Sequence, residues 1–371
     1  MNLKTERDET MSKGKVKNGK LELYRFIACM CVLLFHALKY TLGEPSFKNG
    51  IHLDWFPHGA MGVEFFFVLT GFFMAASAYK KIQMGAPSDD QALSLEYVRF
   101  IKGKYLRIFP QHVIAFVITF IAYVVTRKLG IKSIIMAGIK SLPNFFLIQM
   151  SGMNWMAPNH VEWYISCMLI SLAVLYPVTR RFYYRFTRFF APLMCLLICG
   201  YLFYTTKSLG GVSTWTGLTY KSMLRALAEI AIGTTTFEIS REITLYWESH
   251  PSKKLRLFLS VLEYGALAAF IGFCISTADR RFEYYMIPCV MLMIGIGYCN
   301  ITYGSSLFNN RFIAFLGELS LPVYLCQLAA VYLVQHFVGK DFKAYWMIVI
   351  LSFIFAFITM ALEKVLFKRK H

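Results

Sequence analysis

The chain contains ten separate runs of apolar residues, each close to the length that a helix needs to cross a bilayer. A helix rises about 1.5 Å per residue, so about 20 residues cross roughly 30 Å of hydrocarbon. Only 16% of the 371 residues are charged, against about a quarter in soluble domains. The runs predict an all-α, polytopic transmembrane helical bundle of about ten spans, because a helix satisfies its own backbone in lipid. They are residues 21–40, 60–79, 105–126, 160–179, 189–204, 222–239, 257–277, 284–300, 313–337 and 343–367.

An eleventh stretch, residues 134–150, is broken by Lys140 and Pro143, and we predict a short helix there that lies on the outer surface or is re-entrant. The basic residues support this count, because Lys and Arg concentrate at the cytoplasmic ends of spans. Ten spans place both termini and most basic clusters in the cytoplasm, with Arg127 and Lys128 among the exceptions. The formal charge of +18 is thereby explained by membrane lipids and topology, and we expect no nucleic-acid partner.

The polar ends of the chain flank a single membrane domain. Residues 1–20 are predicted to be a basic, disordered cytoplasmic tail, residues 21–367 the membrane domain, and residues 368–371 a short basic cytoplasmic tail. No cleavage site of small residues follows the first apolar run, which we expect to remain as an anchor. The nine cysteines lie in apolar runs without paired CxxC motifs, so no metal site is expected.

Two ionisable residues, Arg25 and His36, share one face of the first predicted span. Eleven residues of helix place their side chains about 20° apart around the axis and about 16.5 Å apart along it. Such groups cost at least about 2.5 kcal/mol near the bilayer centre and therefore mark a cavity or a partner. Arg25 is predicted near the cytoplasmic surface, where a guanidinium suits phosphate or carboxylate. His36 is predicted near the outer surface, where an imidazole can act as a general base.

Glu64 enters the second predicted span at a depth similar to that of His36. A carboxylate beside an imidazole fixes its tautomer and raises its basicity, so we predict that Glu64 orients His36. The alternative is an ion pair between Glu64 and an outer-loop cation.

Four cations lead into the third predicted span, namely Arg99, Lys102, Lys104 and Arg107. They face the same compartment as Arg25, and together they predict a cytoplasmic anion site. The alternative is a cluster that only sets topology.

Weaker candidates for substrate contacts lie at the ends of two later spans. His160, Glu162 and Trp163 stand at the outer end of the fourth predicted span, although Trp there is commonly an interfacial anchor. Glu318 and Tyr324 lie in the ninth predicted span, and the carboxylate of Glu318 is expected to face a cavity.

Taken in order, these motifs resemble the acyltransferase 3 family of integral membrane acyltransferases. The resemblance covers about residues 20–367 and rests on a set of ordered motifs. They are an Arg and a His separated by ten residues, then GVEFFFVLTGFFMA, KYLRIFP, WYIS with LYP, and LGELSLPVYLCQ. It implies transfer of an acyl group, usually acetyl, from cytoplasmic acyl-CoA to a hydroxyl of a carbohydrate or similar acceptor.

The resemblance also implies roles for individual residues. By it, His36 is the catalytic histidine, Arg25 its motif partner, and Arg107 a residue that helps to hold the CoA phosphates. Lys104 stands where the family frequently has arginine.

Two further departures concern polar groups inside the membrane. Met168 stands where many members have glutamate, and Gln327 stands where the YLxH pattern has histidine. Glu162 is a candidate substitute for the missing carboxylate.

The resulting hypothesis is a multi-pass O-acetyltransferase-like enzyme in the plasma (inner) membrane of a bacterial cell. Its donor is acyl-CoA (acetyl-CoA), and its acceptor is an envelope glycan or a lipid-linked sugar. The alternative is a multi-pass transporter of a sugar or glycoside, with or without coupling to protons. Intramembrane His, Glu and Arg suit a proton-coupled carrier.

Overall fold

The structure is a computed structural model that describes residues 18–43, 54–153 and 158–367. Within these ranges the chain forms helices and no β-strand, which confirms the predicted all-α class. The helices of ten residues or more are α1 Gly19–Thr41, α2 Gly62–Gln83, α3 Asp90–Arg127, α4 Ile131–Lys140, α5 Trp163–Arg181, α6 Ala191–Thr206, α7 Lys221–Ser249, α8 Lys253–Cys274, α9 Met286–Cys299, α10 Arg311–Phe337 and α11 Phe342–Leu366.

Nine helical segments of the described chain are long and apolar enough to cross a membrane. The remaining predicted span, 222–239, corresponds to α7, which has 29 residues and is roughly 43 Å long. A larger share of its residues is charged than in the other nine, and it packs along α2, α5, α6 and α9. Arg225, Glu229 and Glu238 are buried on it. A charged helix is tolerated in the membrane when its charges face protein rather than lipid.

Glycines allow α2 and α7 to cross at short distance. A Cβ on Gly71 would collide with the backbone carbonyl of Ile230, and one on Gly233 would collide with that of Val68. Each glycine therefore accommodates the backbone of the other helix. Small residues at crossings are the usual means of close packing between helices in lipid.

Helix α3 is longer than its apolar run predicts. It begins at Asp90, where the Asp89 side chain caps it by accepting from Ala92 N at 2.9 Å, well before the predicted start at residue 105. Its 38 residues span about 57 Å, more than the bilayer thickness, so one end extends into the aqueous or headgroup layer. The cations that lead into the third span are consequently placed at helical spacing.

The predicted short surface helix is α4. It has no buried residue, and its apolar residues Ile131, Ile135 and Ile139 are exposed at intervals of four. Lys132 and Lys140 are also exposed on this helix. An apolar stripe flanked by lysines is typical of a helix that lies in the membrane interface.

Helices α1 and α10 pack side by side and run parallel. Cys29 Sγ donates to the Ser320 carbonyl at 3.1 Å, and Gln335 Nε2 donates to the Tyr40 carbonyl at 2.6 Å. The residue numbers on both helices rise together, which sets the direction. This packing brings the middle of α10 against the face of α1 that carries His36.

The first helix includes part of the predicted N-terminal tail. Lys20 is fully buried in α1, and its Nζ lies 2.8 Å from Glu263 Oε2 on α8. Tyr24 donates to the other oxygen of Glu263 at 2.5 Å. Lys20, the last residue of the predicted tail, is thus part of α1 and is buried in an ion pair. The rest of the tail, residues 1–17, and residues 368–371 lie outside the described residues.

Candidate active site

Two cavities lie along the face of α1 that carries its ionisable residues. The first has a volume of about 350 Å³ and is lined by His36. The second has a volume of about 770 Å³ and is lined by Arg25, Arg99, Lys104 and Arg107. We call them the histidine cavity and the basic cavity. The predicted pair on α1 is therefore divided between two neighbouring cavities.

His36 is held by Gln327, a residue on α10. His36 Nδ1 lies 2.9 Å from Gln327 Oε1, and Gln327 Nε2 donates to the Tyr324 carbonyl at 2.8 Å. Because the amide nitrogen is already used as a donor, Oε1 accepts, and His36 Nδ1 carries the hydrogen. That tautomer is inferred from the hydrogen-bond network. It leaves Nε2 with a lone pair, the state in which an imidazole can take a proton from a hydroxyl.

Glu64 lines the histidine cavity, as predicted from its depth, but it does not contact His36. Its Oε1 accepts from Arg225 Nη2 in a buried ion pair, and Arg225 Nη1 also donates to the Leu209 carbonyl at 2.6 Å. The predicted contact between Glu64 and His36 is therefore wrong, and Gln327 takes the orienting position. A buried carboxylate needs a paired cation, and α7 supplies one.

Three of the weaker candidates also line the histidine cavity, namely His160, Trp163 and Tyr324. His160 Nε2 is hydrogen-bonded to the Tyr40 hydroxyl at 2.7 Å. The Arg225 guanidinium carbon lies 5.5 Å from the centre of the Trp163 ring. An aromatic surface beside a few placed polar groups is the usual lining of a small-molecule site.

The basic cavity takes its cations mainly from α3. Three lining residues of α3 are spaced four residues apart, namely Arg99, Gly103 and Arg107. Phe100 and Lys104 lie beside them on the same side of the helix. Lys102 is exposed and is absent from the described lining, so only part of the predicted cluster faces the cavity.

Among the described residues, no Asp or Glu lines the basic cavity. Met168, at the position where many members of the resembled family have glutamate, contributes a thioether to its wall. Arg25 does have a carboxylate nearby, since its Nη1 lies 3.0 Å from Glu22 Oε2. The cavity is strongly cationic and suited to a polyanion.

Glu162 lies outside the described lining of both cavities. It is fully buried, with its Oε1 3.0 Å from His112 Nδ1 and 2.6 Å from the donor Asn159 Nδ2. It ties α3 to the turn before α5. It is not placed to substitute for a carboxylate at Met168.

Glu318 is exposed near the start of α10 and lies outside the described lining of both cavities, so the expectation that it faces a cavity stays a prediction. The residues of α10 that line the basic cavity are Ser320, Leu321 and Tyr324. Tyr324 itself lines both cavities.

Comparison with known proteins identifies the family of the chain. A family model described as an acyltransferase domain matches residues 18–362. The chain belongs to the acyltransferase 3 family. No curated protein and no solved structure matches it. It is accordingly a multi-pass membrane acyltransferase.

For this acyltransferase 3 family member, two residues at the site were not assigned from sequence. In the sequence, Gln327 is a departure from a motif, and a glutamine in an apolar span is itself a signal of a polar contact. Arg225 lies inside the apolar run 222–239 with Glu229 four residues later. A buried ionisable pair of that spacing is a sign of a site or a structural ion pair.

Proposed function

We propose that this acyltransferase takes an acyl group, acetyl in the simplest case, from cytoplasmic acyl-CoA and transfers it to a hydroxyl of an envelope carbohydrate or lipid-linked sugar. We propose the plasma membrane as its location. The observation that carries the proposal is the adjacency of a cationic cavity and a cavity that contains His36 with Nε2 available.

The basic cavity is the proposed donor site. CoA carries several phosphate charges, and guanidinium groups bind phosphate in a bidentate manner. Arg99, Lys104 and Arg107 would hold the nucleotide end, with Arg25 beside them. The extended arm of CoA would then run along α1 toward His36, about 16.5 Å from Arg25 along the helix.

The proposed step at His36 is direct transfer. Nε2 takes the proton of the acceptor hydroxyl while its oxygen attacks the thioester carbon. The C–O bond forms, the C–S bond breaks, and the proton passes from His36 to the departing thiolate. Gln327 keeps the imidazole in the required tautomer throughout.

The histidine cavity is the proposed acceptor site. Its volume of about 350 Å³ is at the lower end of the range for small-molecule sites, which suits one sugar unit of a larger acceptor. Trp163 would offer an apolar surface to the sugar ring. His160, Glu64 and Arg225 are among the polar groups of its lining and would contact the hydroxyls of the sugar.

The donor site is tested with alanine variants of neighbouring residues of α3. The purified chain in lipid nanodiscs is given acetyl-CoA and a mixture of envelope glycans, and released CoA is measured. Lys104→Ala and Arg107→Ala should each raise the KM for acetyl-CoA about tenfold or more, because a charged hydrogen bond contributes about 1.5–3 kcal/mol. Lys102→Ala, which is exposed, is the matched control and should behave as wild type.

The role of His36 is tested in the same assay. His36→Ala should abolish acceptor-dependent CoA release and the corresponding acyl mass on the glycans. Wild-type turnover by this variant would exclude His36 as the base. Movement of a glycoside across vesicles without any acyl-CoA would instead favour a transporter.

A further inference from the structure

Tyr324 is the side chain that the two cavities share. It is only 4% exposed, and its hydroxyl donates to the Val161 carbonyl at 2.6 Å. Val161 lines the histidine cavity, whereas Tyr164, whose ring centre is 5.8 Å away, lines the basic cavity. The phenol of Tyr324 thus bridges from α10 to the turn before α5 at the boundary between the cavities.

We propose that Tyr324 is the positioning residue that separates the acyl donor from water in the acceptor site, and that its displacement joins the two cavities for transfer. This inference rests on the proposed function for the identity of the donor. The separation itself rests on geometry alone.

The same residue is connected to the base. The backbone carbonyl of Tyr324 accepts from Gln327 Nε2, and Gln327 orients His36. Pro322, two residues earlier in α10, cannot donate the backbone hydrogen bond that a helical residue gives to residue 318. A helix bends most readily at such a point. Movement of α10 about Pro322 would shift the barrier and the support of His36 together.

A barrier at this position has a chemical purpose. A thioester that met water beside His36 would be hydrolysed, because the imidazole can activate water as readily as a sugar hydroxyl. A closed boundary also interrupts what would otherwise be a polar path between the two cavities.

The first test measures CoA release from acetyl-CoA without any acceptor, using the full chain in nanodiscs. Tyr324→Ala should raise this rate at least fivefold over wild type, and Tyr324→Phe, which keeps the ring but loses the bond to Val161, should raise it less. His36→Ala in the Tyr324→Ala background should return the rate to the wild-type level. Tyr332→Ala is the matched control, because Tyr332 also lies on α10 and donates to a backbone carbonyl, that of Pro158, at 2.8 Å. It should leave the rate unchanged.

The second test does not depend on acyl transfer. Thr70 lines the basic cavity, and Thr70→Cys in oriented proteoliposomes is treated with a membrane-impermeant maleimide from the side on which the histidine cavity opens. Labelling of the Thr70→Cys chain should be low when Tyr324 is present and at least fivefold higher when Tyr324→Ala is added. The same chains without Thr70→Cys give the background labelling. Labelling from the other side should be equal in both and shows that the variant is folded.

Equal labelling of Thr70→Cys with and without the tyrosine would overturn the proposed barrier. So would labelling raised as much by Tyr332→Ala as by Tyr324→Ala. If labelling rises but no variant releases CoA, the barrier stands and the proposed donor is wrong. If Tyr324→Ala fails to fold, a rise in labelling with Tyr324→Phe supports the barrier, and no rise overturns it.

Discussion

At the scale of single residues, an amide rather than a carboxylate supports the candidate base. Gln327 fixes the tautomer of His36 through two hydrogen bonds of 2.9 and 2.8 Å. Gln327 is neutral and adds no negative charge beside an imidazolium, whereas the aspartate of a hydrolase triad stabilises that cation. Gln327 therefore contributes orientation, and its replacement should affect the chemical step rather than donor binding.

This gives a prediction for Gln327. Gln327→Leu should lower kcat about 10–100-fold while leaving the KM for acetyl-CoA within about twofold, because the ring loses the bond that selects its tautomer. Gln327→His, which restores the residue of the family pattern, should retain most of the activity, because an imidazole nitrogen can accept the same hydrogen. Steady-state CoA release checks both. A changed KM with unchanged kcat would show that Gln327 serves donor binding instead.

Arg225 has a different function at the same scale. It connects α7 to Glu64 on α2 and to the carbonyl of Leu209 in the loop before α7. Breaking a buried ion pair leaves the remaining charge uncompensated. The wall of the histidine cavity thus includes this pair, in which Glu64 Oε1 faces Arg225 rather than His36.

At the scale of elements, the crossing of α2 and α7 sets the position of that ion pair. Gly71 and Gly233 allow the two backbones to meet, and the crossing lies on the helices that carry Glu64 and Arg225. A larger residue at the crossing would separate them. The cavity depends on a contact that involves no catalytic group.

Gly71→Ala should destabilise the fold by about 1–3 kcal/mol or more, because the added methyl overlaps the Ile230 carbonyl in a packed interior. Gly265→Ala in α8 is the matched control, because a Cβ at Gly265 meets no atom within 4 Å. That control should be neutral or slightly stabilising, because alanine is the better helix former. Thermal unfolding of the detergent-solubilised chains checks both, and similar midpoints for the two variants would contradict the close crossing.

In helix α3, basic residues of the kind that set membrane topology also line a cavity. Lys and Arg before a span are ordinary at the cytoplasmic surface. The continuous helix from Asp90 places Arg99, Lys104 and Arg107 on one side and exposes Lys102 on another. Only the former group can bind a ligand in the basic cavity.

At the scale of the whole molecule, the two cavities and the number of helices require a defined orientation in the membrane. The nine candidate spans of the described residues and α7 together make ten, an even number, so we expect both ends of the chain to lie on one side. The proposed donor site must face the cytoplasm, where acyl-CoA is made available.

The orientation of the chain in the membrane can be measured with labels that reach only one side of the bilayer. Epitope tags at residues 1 and 371 should both be cytoplasmic, whereas Lys132→Cys in α4 should react with an impermeant thiol reagent added from outside intact cells. Gly85→Cys, in the turn after α2, is the opposite control and should react only after the cells are opened. Tags on opposite sides would show that one of the ten helices does not cross.

The sequence by itself determined the local properties of this protein. Hydropathy and helical periodicity are features of neighbouring residues, so they were sufficient for the all-α membrane class, for a short helix near α4, and for the shared face of Arg25 and His36. The ordered motifs were sufficient for the family. The length of α3 and the burial of Lys20 were missed, because both depend on polar residues that are stabilised by capping or by an ion pair.

Only the tertiary structure decided which residues meet. Gln327 is 291 positions from His36, and Arg225 is 161 positions from Glu64. Such contacts depend on the rotation and depth of each helix against its neighbours, which hydropathy does not specify because any apolar face can pack against any other. For the same physical reason, the division of the Arg25 and His36 face into two cavities at Tyr324 became visible only when α10 was packed against α1.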